Sequence, residues 1–88
     1  MFFKRNELYY MDDINFIIKD NWHMGMDTRR SMFLVKEYLK NKKLKEEHSF
    51  IISFREQLNI IDLEDEKCNK ELDELLKNFY KRFNELKK

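Results

Sequence analysis

Proline is absent from this chain, and glycine occurs once, at Gly25. Those two residue types are the usual breakers of helices. From Met26 to Lys88 nothing of that kind interrupts the backbone, and apolar residues recur every three or four positions. That period predicts helices joined by short polar turns. The same scarcity leaves no glycine-rich phosphate loop and no strand-loop-helix crossing of an α/β fold. Alanine is missing as well, and Val35 is the single valine. Helix contacts must therefore be made by bulky side chains, which hold helices apart.

Cys68 is the single cysteine. It excludes an intramolecular disulfide and makes a reducing, cytoplasmic setting the simplest expectation. No apolar run approaches the roughly 18 residues of a membrane-spanning helix. In Met1-Phe2-Phe3-Lys4-Arg5 the apolar residues precede the cations, the reverse of a secretory leader. The net charge of +1 gives no global pull toward nucleic acid or an anionic membrane.

What is abundant is aromatic and charged. Eight Phe, four Tyr and one Trp stand among 88 residues that are 40% charged. That length suits one domain over residues 1–88. A chain of this size hides only roughly 60–65% of its unfolded surface. The apolar surplus predicts a homodimer or a partner surface. Lys, Asn and Ile are frequent while Ala, Gly and Pro are scarce, as AT-rich coding sequence dictates. A low-GC bacterium, its phage or another AT-rich genome is the expected source.

The expected architecture is all-α: a small bundle of three to four helices, completed by dimerisation, with a short N-terminal arm. Residues 1–10 are read as that arm or as a short extended segment, with the first turn of a helix as the alternative. Asp12 or Asp13 is the expected cap of a first helix over about 12–23, with Ile14, Ile17, Ile18 and Trp22 on its apolar side. Gly25 suits the position just past that helix, and Asp27 the cap of the next. The second helix is expected over about 28–41, burying Met32, Val35 and Leu39, with Phe33, Leu34 and Tyr38 beside that stripe. Lysine repulsion and Asn41 predict a turn at 41–45. The third helix is expected over about 46–60 on the 3-4-3 spacing of Ile51, Phe54, Leu58 and Ile61. The fourth, capped by Asp62, is expected over about 63–86 on Leu72, Leu75, Leu76, Phe79, Phe83 and Leu86.

Charge falls in blocks. Residues 28–45 hold seven Lys or Arg against Glu37 alone, and 62–74 hold seven acids against Lys67 and Lys70. Acids at the start and bases at the end of the fourth helix follow from its macrodipole. The 28–45 block does not follow. Arg29 and Arg30 sit in a first turn, where the dipole disfavours cations. Three destinations suit them: the acids of 62–74 within the fold, an acidic partner protein, or nucleic-acid phosphate.

Sites of chemistry are missing. His23, His48 and Cys68 lack the short spacing of a zinc site, so no metal and no cofactor is expected, and the histidines are read as surface or half-buried. Cys68 is read as a small apolar residue at the edge of the core. The acids of the predicted helix starts are explained by capping, and no nucleophile has a base at readable spacing. No catalytic residue and no enzyme activity is expected. Glu71, Leu72 and Asp73 match three positions of the Ser-Gln-Glu-Leu-Asp signature of small helical-hairpin phosphatases of sporulating bacilli, but its Ser and Gln are missing. Three common helix formers do not place the chain in that family.

Binding of another protein is the expected function, as regulator, adaptor or inhibitor. Aromatic and arginine side chains carry most binding energy at interfaces. The candidate partner-binding residues are Tyr9, Tyr10, Trp22, Arg29, Arg30, Phe33 and Tyr38, with core packing the competing reading for Trp22 and Phe33. The alternative is nucleic-acid binding by the basic 28–45 block in a helix-turn-helix-like arrangement, with Arg29, Arg30 and Lys36 as recognition residues.

Overall fold

The computed structural model describes the backbone of residues 2–23 and 28–87 and the side chains of 7–20 and 28–87. Gly25 and Asp27, expected to end one helix and cap the next, lie outside the described residues. Four helices form: α1 Phe2–His23, α2 Thr28–Lys40, α3 Ser49–Ile60 and α4 Asn69–Lys87. Single 3-10 turns, Glu46–His48 and Glu66–Cys68, lead into α3 and α4. No strand occurs among the described residues. The radius of gyration is 12.7 Å, close to the about 12 Å of a compact chain this long. The expected all-α bundle is the observed one.

The N-terminal arm is not observed. Residues 2–10 are the opening turns of α1, and Asp12 and Asp13 stand exposed in mid-helix instead of capping its start. The reason is packing. Glu7, Met11, Ile14 and Ile18 bury one stripe at 4-3-4 spacing, with Leu8 and Ile17 half-buried beside it. That stripe runs straight through the acids, and tertiary burial outweighs a capping preference.

α2 buries Met32, Val35 and Leu39, as expected, together with Ser31. It ends where the lysines begin, and the 41–45 break is real. Arg55 of α3 holds that end. Its Nη1 donates to the carbonyls of Leu39 at 3.3 Å and Lys42 at 3.1 Å, supplying donors that a helix terminus lacks. His48 closes the entry to α3 by accepting the Lys45 N–H at Nδ1, 3.2 Å away. This histidine is buried, against the expectation of a surface or half-buried position, because the ring of Tyr10 meets it edge-on at 5.3 Å.

α4 starts at Asn69, six residues later than expected from 63. Asp62 and Asp65 cap turns rather than the helix. The Glu64 N–H donates to Asp62 Oδ1 at 3.1 Å, and the Lys67 N–H to Asp65 Oδ1 at 3.0 Å. Short acidic side chains favour such local turns over helix continuation. Leu63 is buried within the turn.

The core is one cluster fed by all four helices. Its centre is Phe79, whose ring lies 5.3 Å from Phe54, 5.1 Å from Tyr80 and 5.7 Å from Phe83. Tyr80 donates its hydroxyl to Asn15 Oδ1 at 3.0 Å, tying α4 to α1. Cys68 is buried at the core edge, as the sequence implies, and burial pushes its thiol up.

Candidate functional site

The outer face of α2 follows from its buried one. With Met32, Val35 and Leu39 turned inward, a 3.6-residue period turns Arg30, Phe33, Glu37 and Lys40 outward. Phe33 is 43% exposed and Leu34 46%. Such large apolar residues are placed here by the helix period, not by the needs of the core.

Phe33 separates two hollows. One, of about 650 Å³, is walled by Arg29, Arg30, Phe33, Leu34, Leu63 and Glu64. The other, of about 500 Å³, lies between α2 and α3 and is walled by Phe33, Lys36, Glu37, Lys40, Arg55 and Asn59. Together they form a groove with an apolar ridge and a basic rim: five cations against Glu37 and Glu64. Arg29 and Arg30 do stand in the first turn of α2. Arg29 Nη1 donates to the main-chain oxygen of Glu64 at 3.5 Å. Its charge also favours the thiolate of Cys68, against the larger effect of burial and the opposing charges of Asp65, Glu71 and Asp62. Arg29 thus belongs partly to the fold's own α3–α4 turn, while Arg30 is exposed on the rim.

The seven sequence-predicted residues divide. Arg29, Arg30 and Phe33 meet at the groove. Tyr9, Tyr10 and Tyr38 meet elsewhere, around a hollow of about 390 Å³ beside the 42–48 segment. The side chain of Trp22 lies outside the described residues. The tyrosine cluster is largely occupied with holding the fold. Tyr38 donates its hydroxyl to Asp13, joining α2 to α1, and its ring lies 4.6 Å under the ammonium of Lys42. Burial, then the hydrogen bond and charge of Asp13, push that hydroxyl far above the usual phenol range. Tyr10 packs on His48. Of the three, Tyr9 alone is mostly exposed, at 68%.

Sequence reasoning did not place Leu34, Lys40, Arg55 or Leu63 at the groove. Leu34 carried a signal, being an apolar residue off the buried stripe. Lys40 carried only its membership of the basic block. Arg55 and Leu63 carried none, since the turns that bring them there are set by tertiary packing. No group of three or more His, Cys, Asp or Glu able to hold a metal ion occurs among the described residues, and no described helix is long and apolar enough to cross a membrane. No protein-family model, curated protein or solved structure matches the chain.

Proposed function

We propose that this chain is a small helical protein-binding protein, a regulator, adaptor or inhibitor, whose binding surface is the α2 groove and whose partner presents an acidic surface. One observation carries the reading: an exposed Phe33–Leu34 ridge inside a rim of Arg29, Arg30, Lys36, Lys40 and Arg55. An apolar centre excludes water, and the cations around it select carboxylates by charge. Arginine suits the rim because its planar fork makes two charge-assisted bonds to one carboxylate. The proposed setting is cytoplasmic, and the role is binding rather than catalysis.

The test is capture from host lysate by immobilised wild-type protein, Arg30→Glu and Leu34→Asp. Both substituted positions are exposed, so helicity and melting should hold. A protein retained by the wild type and lost by both variants supports the reading. Equal retention by all three sinks the site. Binding of generic duplex DNA that falls steeply with salt and with Arg30→Glu favours nucleic acid as the target instead.

A further inference from the structure

α1 carries an outward stripe that complements the groove on α2. Phe16 is 69% exposed, and Tyr9, two turns earlier on the same stripe, is 68% exposed. Asp12, Asp13 and Asp20 are exposed around Phe16, at the positions one turn before and one turn after it. Lys19 lies at the stripe's edge. The opposite face of the helix buries Met11, Ile14 and Ile18. None of this exposed pattern is therefore required by the core.

The spacing of the charges before the aromatic repeats on α2 with the sign reversed. Asp12 and Asp13 stand four and three residues before Phe16, and Arg29 and Arg30 stand four and three residues before Phe33. After the aromatic the signs do not reverse: Lys19 and Lys36 stand three residues on and Asp20 and Glu37 four, with Lys40 one further turn along α2. One stripe is an acidic amphipathic surface with an aromatic anchor. The other is a basic groove with an apolar ridge. An amphipathic helix laid in such a groove is a common mode of recognition, in which apolar anchors give affinity and flanking charges give choice of partner.

We infer that the occupant of the α2 groove is the α1 stripe of a second copy of this chain. Phe16 of one copy packs on Phe33 and Leu34 of the other, and the aspartates face the groove's cations. The inference rests on the groove being a surface for an acidic protein partner, and it names that partner. Asp13 accepts from Tyr38, and Arg29 donates to the Glu64 carbonyl, so both also serve the fold. Asp12, Asp20, Arg30 and Lys40 are all exposed and carry the complementary charge at the contact.

The test is a charge swap followed by sedimentation equilibrium across about 1–100 μM, the range in which a contact of modest affinity is half-formed. Asp12→Lys with Asp20→Lys makes the α1 stripe basic, and Arg30→Glu with Lys40→Glu makes the groove acidic. Circular dichroism and melting confirm that each variant is folded. Wild-type protein should self-associate, and the association should weaken at high salt. Each variant alone should be about tenfold or more weaker, since like charges then meet. An equimolar mixture of the two variants should associate again, because each supplies the surface the other lost. A wild-type chain that stays monomeric overturns the inference, as does a mixture no stronger than its parts. If the wild type is monomeric but Arg30→Glu still abolishes capture of a host protein, the inference alone has failed and the groove's role in protein binding stands.

Discussion

Phe79→Ala is the substitution whose cost the structure specifies most closely. The ring is fully buried at mid-α4, with Phe54, Tyr80 and Phe83 within 5.7 Å of its centroid. Removing a buried phenyl forfeits its transfer free energy and leaves a cavity, together about 3–5 kcal/mol. The three ring contacts add about 0.5–1.5 kcal/mol each in isolation. They share one ring, so they do not sum, and they place the cost toward the upper part of that range. Domains of this kind are stable by only about 5–15 kcal/mol, so the variant loses a large share. With a urea slope of about 2 kcal/mol per molar, the unfolding midpoint should fall by about 2 M. The assay is urea unfolding followed by helix circular dichroism, with Phe79→Leu, which loses the ring contacts but leaves a smaller cavity, expected to cost less than Phe79→Ala. A loss under about 1 kcal/mol for Phe79→Ala, at unchanged slope, would refute the packing argument and mean that the α4 stripe faces a partner.

Three further outcomes follow from the fold. Burial raises the hydroxyls of both Tyr38 and Tyr80, with Asp13 adding to the effect at Tyr38. A raised folded value means stability is intact below the unfolded phenol value of about 10 and is lost as pH climbs above it; Tyr38 and Tyr80 should ionise late, together with loss of helix, and ionisation of both near the ordinary value in a still-helical protein would contradict this. Arg55→Ala should cost about 1–2 kcal/mol by leaving the Leu39 and Lys42 carbonyls without their charged donor, and should speed hydrogen exchange around 39–45; unchanged melting and exchange would remove Arg55 from that role. The buried, raised thiol of Cys68 should react with a neutral thiol reagent at least about tenfold more slowly in the folded protein than in urea, and equal rates would mean that the α3–α4 turn is open.

The helices were legible because their signal is periodic. Met32, Val35 and Leu39 on α2, and Leu72, Leu75, Leu76, Phe79 and Phe83 on α4, are the residues that the 3–4 spacing selects, and they are buried. Starts were less legible because acidic residues serve two local structures. Asp12 and Asp13 satisfy a capping pattern, yet Glu7, Met11 and Ile14 carry the buried stripe past them. Asp62 and Asp65 likewise satisfy a helix start, yet they close two successive turns. At the groove, Arg29 and Arg30 were legible as a conflict with the helix dipole, and Phe33 as an aromatic beside the buried stripe. The groove's other wall was not, since Arg55 and Leu63 reach it through turns whose geometry no local pattern encodes. The split of Tyr9, Tyr10 and Tyr38 from Arg29, Arg30 and Phe33 depends on the packing of α1 against α2, which is likewise non-local.

The central claim is that the outer face of α2 is the protein's binding surface. Site-specific photo-crosslinking tests it most directly, with a photoreactive phenylalanine in place of Leu34 on the groove or of Asn78, exposed on α4. The account predicts a protein adduct from position 34, whether to a second copy or to another chain, that is lost when Arg30→Glu is added and does not form from position 78. Adducts of equal yield from both positions, or an adduct at 34 indifferent to Arg30→Glu, would contradict it.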